Sequence, residues 1–281
     1  MKQIKIYHLS IILMISSCLF FSILAGIIKY LSNYLHPFEQ AFFRNFFTIF
    51  LFLPYIYRTN RNPFKSSNKK KLLVRSFFGA VTMLLLFWSY TLIPLSQAVA
   101  ISFTTPLFIF LGGIVVMKEK VSSKNVIALV FGFIITLIII RPDLEIQFGT
   151  YIAIIASITH AITGLIVKDL TKTESVFSIM FFMIIFMTPL TLIPSVFFWS
   201  LPDNLIVWLF IFLLAVFGTL GNFCWTKSLS LSNLTNIMPF EFSKLVFATL
   251  IGFFFFKEGV DAITIVGGIM LILCNIIISR K

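Results

Sequence analysis

The chain has 281 residues, of which 59% are hydrophobic and only 11% are charged, and its mean hydropathy is +1.04. A soluble domain carries about 25% charged residues, so this composition excludes a water-soluble globular protein and indicates a protein surrounded by lipid. The net charge of +12 does not indicate nucleic-acid binding, because the basic residues lie in short segments between apolar runs.

Apolar runs follow one another along the whole chain, and a transmembrane helix needs about 20 such residues. The sequence therefore predicts an all-α integral membrane protein. Its first run follows Lys2 and Lys5, but it is too long for the core of a signal peptide and lacks a small-residue cleavage site. We predict ten transmembrane helices, at 9–30, 37–57, 72–92, 97–117, 125–140, 148–167, 175–199, 205–226, 235–256 and 261–279.

The basic residues are distributed unevenly between the two sides of these predicted helices. If the N-terminus is cytoplasmic, seventeen Lys and Arg residues, Arg75 among them, fall on the inner side and three on the outer side. Because such an excess marks the cytoplasmic side, we expect a bacterial inner-membrane protein with both termini cytoplasmic. Trp199 and Trp208 then fall at the outer interface and Trp225 at the inner one, as in an aromatic belt.

The second half of the chain repeats features of the first at an offset of 139 residues. The pattern L-x-G-x4-K-E-x-V occurs at 111–121 and again at 250–260, each time at the end of an apolar run. Gly79 matches Gly218 at the same offset, and we expect both glycines to allow close helix packing. These matches predict an internal duplication.

The duplication predicts two repeats of five helices each, at 1–141 and 142–281. Since five is odd, the second repeat enters the membrane in the opposite orientation. Inverted repeats are typical of secondary transporters, whose substrates bind near the middle of the membrane, between the repeats and beside interrupted helices.

The ninth apolar run, 236–258, carries polar residues that are costly in lipid unless they face a cavity. Glu241 and Lys244 are three residues apart and share a helix face, and Pro239 removes a helical hydrogen bond beside them. Glu241 and Lys244 could bind the amino and carboxylate ends of an amino-acid-like solute, and Glu241 could also take up a coupled proton. The alternative is that the two side chains neutralise each other.

Other side chains are weaker candidates for substrate binding. Arg44 could hold a carboxylate or phosphate, or form a structural ion pair with Glu39 or another acid. His160 could relay protons or only pack through a hydrogen bond. The remaining candidates could stack on or hydrogen-bond to a solute, although interface placement or helix–helix bonding explains them equally well: Trp88, Tyr90, Thr104, Thr105, Asn222 and Asn236.

Three segments carry a resemblance to a known family: HPFEQAFFRNFFTIFLFLP at 36–54, IPLSQAVAISFTTPLFIFLGGIVVMKEKV at 93–121 and MPFEFSKLVFATLIGFFFFKE at 238–258. They resemble the second, fourth and ninth helices of the EamA-type branch of the drug/metabolite transporter superfamily, and the resemblance extends over the whole chain. The segment HPFEQAFFR also resembles members from intracellular bacteria that take up S-adenosylmethionine.

The resemblance implies a basket of two inverted five-helix bundles, with helices 1, 3, 4, 6, 8 and 9 around a central cavity. Glu119 and Glu258 match the family's acidic residues at helix ends, where we expect them to tie these ends structurally. Lys118 and Lys257 stand where the family usually has a small residue. Family substrates are amino acids, nucleotide-related metabolites and other small polar organic compounds.

The sequence thus favours a carrier of a small polar metabolite, amino-acid-like or S-adenosylmethionine-like, that works by alternating access. The alternative is an exporter of amphiphilic cations, which would favour an unpaired acid. We predict neither an enzyme nor a cofactor or metal site, because no nucleophile–base pair or ligand cluster stands out. The expected partners are the lipid bilayer, a small-molecule substrate and coupled protons, while the direction of transport and the oligomeric state stay open.

Overall fold

The computed structural model describes residues 2–59, 66, 68–93, 98, 101–140, 147–257, 259 and 262–279. These residues contain helices and no strand. The α-helices of twelve or more residues are numbered here in chain order: α1 (Lys2–Leu31), α2 (Pro37–Thr59), α3 (Lys69–Leu92), α4 (Thr104–Val115), α5 (Ser123–Ile140), α6 (Phe148–Leu170), α7 (Val176–Ser195), α8 (Leu205–Leu231), α9 (Ser243–Phe256) and α10 (Ala262–Ser279).

Most of these helices are apolar on every side, which is typical of helices that face both protein and lipid. Within the described ranges, six helical segments are long and apolar enough to cross a membrane: Ile4–Leu31, Lys69–Leu92, Phe148–Leu170, Val176–Phe198, Leu205–Leu231 and Leu234–Phe255. Large apolar side chains lie on the surface, such as Phe197 and Phe255, each 80% exposed. Lipid is the solvent that such a surface fits.

The helices pack in a pattern that occurs twice. In the centre, α1 lies against α8 and α9, and α6 lies against α3 and α4. Around them, α2 and α7 pack on each other, with α7 also on α3 and α2 also on α8. The remaining pair, α5 and α10, pack against each other. This arrangement puts α1, α3, α6 and α8 around the middle of the molecule.

The helix that carries Pro239 is interrupted there by a change from α-helical to 3-10 geometry. One α-helical turn, Leu234–Ile237, is followed by the 3-10 segment Met238–Phe242, and α9 begins only at Ser243. Pro239 lies at the start of the 3-10 segment, where its missing N–H costs nothing. The interruption holds the main chain away from α-helical geometry at Glu241.

Several helix ends differ from the sequence-based bounds, and two of them lie near Arg75 and Trp225. Helix α3 begins at Lys69 instead of 72, and α8 ends at Leu231 instead of 226. Arg75 and Trp225 are 2% and 3% exposed in the interior, so Trp225 does not face lipid as a residue of an aromatic belt would. The apolar runs understate these helices because their ends carry lysine, serine and threonine.

The lysines that replace a small residue both adopt left-handed backbone conformations, with φ of 53° at Lys118 and 54° at Lys257. At the end of α4, the main-chain N–H groups of Val116 and Met117 donate to Gly112 O, and that of Glu119 donates to Gly113 O. The chain thus turns as it would with glycine.

Candidate substrate-binding cavity

Two adjoining cavities lie between α1, α3, α6 and α8. The first, of about 140 Å³, contains the side chains of Arg44 and Arg75 on its wall, and we call it the arginine cavity. The second, of about 60 Å³, is lined by Glu241 and is called the glutamate cavity. Six residues line both cavities, which therefore form one continuous polar region: Phe21, Thr82, Leu86, His160, Trp225 and Lys244.

Helix α1 supplies donors to the main-chain carbonyls at the interruption. The thiol of Cys18 lies 3.8 Å from Phe240 O and 3.6 Å from Glu241 O, and the Ser22 hydroxyl donates to Lys244 O at 3.0 Å. In lipid, an interrupted helix is tolerated only where neighbouring groups satisfy its freed backbone. The interruption is therefore a built feature that α1 supports.

The Glu241 carboxylate is held by α8. Its Oε1 accepts a hydrogen bond from the indole Nε1–H of Trp225 at 2.6 Å. In the part of the chain that the structure describes, no carboxylate lies within ion-pairing distance of Lys244. The two side chains both line the glutamate cavity, and their opposite charges stabilise each other without a direct ion pair.

Arg44 is 6% exposed and reaches the arginine cavity from α2. Its Nη2 donates to Gly218 O at 3.4 Å, and its Nη1 lies 3.0 Å from the sulfur of Met83. The structural alternative, an ion pair with Glu39, is not formed. The Glu39 carboxylate instead accepts hydrogen bonds from the main-chain N–H groups of Ser200, at 2.6 Å, and His36, at 3.0 Å.

Arg75 is a cavity residue that the sequence analysis missed. It was counted as an inner-side charge, although it lies between apolar residues on both sides in the sequence. Its Nη1 lies 3.7 Å from Met187 Sδ, and its buried Nε has no hydrogen-bond partner among the described residues. It lies six positions after Lys69, the start of α3, which is nearly two helical turns.

The other predicted residues divide between the cavities and the surrounding packing. Tyr90, His160 and Asn222 line the arginine cavity, and Thr105 and His160 line the glutamate cavity. The His160 ring lies 5.6 Å from the Trp225 ring, and the Asn222 side-chain amide donates to Gly218 O at 2.8 Å.

Trp88, Thr104 and Asn236 have their own partners and do not line either cavity. The Trp88 ring lies between the rings of Phe38 and Phe148. Thr104 donates to Ile101 O at 2.6 Å within its own turn. The side chain of Asn236 accepts a hydrogen bond from Asn125.

Glu119 lies at the start of the interrupted segment, away from both cavities. Its carboxylate accepts hydrogen bonds from the main-chain N–H groups of Leu234, at 3.0 Å, and Thr235, at 2.9 Å, and from the Thr235 hydroxyl. A carboxylate at this point caps the helical turn that precedes the interruption. Glu258, the matching residue of the second half, lies outside the described residues.

The architecture, with charged side chains at interior cavities, defines a multi-pass helical membrane protein. A sequence model of the EamA-like transporter family matches residues 8–141 and matches again at residues 147–280. The chain therefore belongs to the EamA-like transporter family. It is a transporter and not an enzyme.

Among curated proteins, the chain is similar to the S-adenosylmethionine uptake transporter of Rickettsia felis. The two are 29% identical over 251 residues, which cover 87% of this chain and 83% of the relative. It is also similar to the pseudopaline exporter of Pseudomonas aeruginosa, with 24% identity over 266 residues and 92% of each chain covered. A crystal structure of another protein has the same fold, with a TM-score of 0.80, 13% identity and 96% of each chain covered.

Proposed function

We propose that this transporter moves a small polar organic metabolite, amino-acid-like or S-adenosylmethionine-like, across the bacterial inner membrane by alternating access. One observation carries the proposal. Charged side chains from three separate helical segments, Arg44, Arg75 and the Glu241–Lys244 pair, meet at enclosed cavities beside an interrupted helix. Such groups are retained inside lipid where a polar solute or another charge compensates them.

The proposal includes ten membrane-spanning helices arranged as inverted repeats, 1–141 and 142–281. The two family matches support it, because they begin 139 residues apart and end 139 residues apart. The wall of the glutamate cavity supports the inverted repeats as well. A cavity that lies between two repeats of one fold should be lined by equivalent residues of both repeats. Six pairs of its lining residues are related by this offset: Ser17/Ala156, Cys18/Ser157, Phe21/His160, Leu86/Trp225, Ser102/Glu241 and Thr105/Lys244.

The two ends of the polar region suit the two ends of an amino-acid headgroup. Glu241 offers a carboxylate to an ammonium group, and the basic side chains offer donors to a carboxylate. The rings of Trp225 and Tyr90 can pack on a cationic or planar portion of the solute. S-adenosylmethionine has all of these groups, and the name of the Rickettsia felis relative is consistent with it.

The direction of transport follows gradients and coupling, and the relatives include both an uptake transporter and an exporter. Proton coupling through Glu241 is part of the proposal. The alternative substrate class, amphiphilic cations, fits the cavities less well, because Arg44, Arg75 and Lys244 face only one acid, Glu241, among the described lining residues.

We also propose that both termini are cytoplasmic, as the distribution of lysine and arginine indicates. An epitope at either terminus should be protected from external protease in intact cells. Digestion of a C-terminal epitope from outside would contradict the ten-helix topology.

The function is tested by the thermal stability of the purified protein with amino acids, S-adenosylmethionine, nucleotides and amphiphilic cations. A ligand at 100 times its Kd stabilises the folded state by about 2.7 kcal/mol. We expect stabilisation by a zwitterion or by S-adenosylmethionine, and loss of this effect in Glu241→Gln. Stabilisation by amphiphilic cations alone would contradict the proposal and favour the exporter of such compounds.

A further inference from the structure

We propose that Arg44 and Arg75 together bind an anionic group of the substrate, a carboxylate or a phosphate. This inference rests on the proposed function and deepens it in two ways. It makes Arg75 a substrate-binding residue, and it makes an anionic group a requirement for recognition.

Burial without an acidic partner is the first argument. Arg44 and Arg75 are 6% and 2% exposed, and the Nε atom of each is buried with no hydrogen-bond partner among the described residues. A guanidinium has five donors. Arg44 donates to the sulfur of Met83 at 3.0 Å and, at the longer distances of 3.4 and 3.5 Å, to Gly218 O and Asn45 Oδ1. Arg75 donates to the sulfur of Met187 at 3.7 Å, and sulfur is a weak acceptor. A structural arginine in such a place would be expected to pair with a carboxylate.

The location of the two groups is the second argument. Both side chains line the arginine cavity, although one comes from α2 and the other from α3. Their charges are close enough to repel each other, so each raises the cost of burying the other. An anion in the cavity would remove this repulsion and accept hydrogen bonds from both guanidinium groups.

The glycines beside these arginines are the third argument. A Cβ added to Gly218 would overlap Nε of Arg44, and a Cβ added to Gly79 would lie 3.4 Å from Nη1 of Arg75. The absence of a side chain at Gly218 leaves the volume that the Arg44 guanidinium fills. The chain thus accommodates two unpaired guanidinium groups at one cavity.

The acid of the polar region lies in the other cavity. Glu241 lines the glutamate cavity and accepts a hydrogen bond from the indole of Trp225. The solute is therefore expected to lie with its anionic group at the two arginines and any ammonium group toward Glu241. Lys244, which lines both cavities, lies between these two ends.

The test compares ligands that differ only in the anionic group. Binding to the purified full-length protein is measured for S-adenosylmethionine and its decarboxylated form, for methionine and 3-(methylthio)propylamine, and for adenosine monophosphate and adenosine. The first two pairs test a carboxylate, and the third tests a phosphate. In the wild type, we expect the anionic member of at least one pair to bind more tightly.

The variants identify the groups that make this distinction. Loss of a hydrogen bond to a charged group weakens binding by roughly ten- to a hundredfold. Arg75→Gln should therefore weaken binding of the anionic member of a pair by that factor. Binding of the member that lacks the anionic group should not change, which also shows that the variant is folded. Arg75→Lys should retain part of the preference for the anionic member. Lys71→Gln is the control, because Lys71 forms an exposed ion pair with Asp169, and this variant should retain the whole preference.

If Arg75→Gln does not fold, Gly218→Ala replaces it, because a Cβ there would overlap Nε of Arg44 and displace that guanidinium without removing its charge. Equal binding of both members of every pair by the wild type would overturn the inference while leaving the transport of a polar metabolite intact. An unchanged preference in Gly218→Ala, or in folded Arg75→Gln, would overturn it as well. Failure of the protein to bind any of the six compounds would contradict the proposed function and this inference together.

Discussion

Trp225 donates its indole N–H to Glu241 Oε1 at 2.6 Å, and this hydrogen bond joins α8 to the interrupted segment across the cavity wall. At an offset of 139 residues stand Leu86 and Ser102, which line the same cavity and cannot form this bond. The acid and its donor therefore make the two sides of the cavity chemically different.

We predict that Trp225→Phe lowers transport at least tenfold while the protein still inserts in normal amounts. The substitution keeps an aromatic ring but removes a hydrogen bond to a carboxylate, which is worth about 1.5–3 kcal/mol. The measurement is transport normalised to protein in the membrane. Trp208→Phe is the control, because Trp208 donates to Pro202 O outside both cavities. Equal losses in the two variants would mean that Trp225 serves packing alone.

We predict that Gly218→Ala weakens substrate binding, because its methyl group displaces the Arg44 guanidinium. Gly268→Ala is the matched control, since a Cβ there meets no atom within 4 Å and α10 should gain about 1 kcal/mol of helix propensity. Binding of the ligand found for the wild type is measured for both variants. Unchanged binding by Gly218→Ala would show that the position of Arg44 does not matter for recognition.

Much of the architecture follows from hydropathy alone, because apolar length and Pro239 mark the helices and their interruption. The candidate site follows only in part. Arg75 was counted as an inner-side charge and Trp225 was assigned to the inner interface, since each stands near the end of a predicted helix and hydropathy does not tell which helix face lines a cavity. Trp88 and Asn236 lie at positions along the chain that suit substrate binding. Their partners come from other helices, however, and a single sequence does not specify that packing.

We predict that Glu119→Ala lowers the free energy of unfolding by about 1–2 kcal/mol, as expected for the loss of a helix N-terminal cap. Its carboxylate accepts the main-chain N–H groups of Leu234 and Thr235, and alanine leaves both without this acceptor. The midpoint of thermal unfolding in detergent is compared with that of Lys120→Ala, an exposed neighbour. A Glu119→Ala midpoint equal to that of Lys120→Ala would rule out a capping contribution.

We predict that Lys118→Gly raises the free energy of unfolding by about 1 kcal/mol, because the left-handed conformation at φ 53° costs lysine energy that glycine does not pay. Lys227→Gly, within α8, should have the opposite sign, since glycine weakens a helix interior. Thermal unfolding of both variants checks the pair. A lower midpoint for Lys118→Gly would mean that the lysine side chain itself stabilises the turn.

The central claim is that the polar region around Glu241 binds the transported metabolite. The most direct measurement is exchange of radiolabelled S-adenosylmethionine, methionine and adenosine monophosphate into proteoliposomes that contain the wild type or Glu241→Gln. We predict saturable exchange of at least one of these compounds by the wild type and loss of it in the variant, with equal amounts of reconstituted protein. Exchange by Glu241→Gln at the wild-type rate would contradict the assignment of this site.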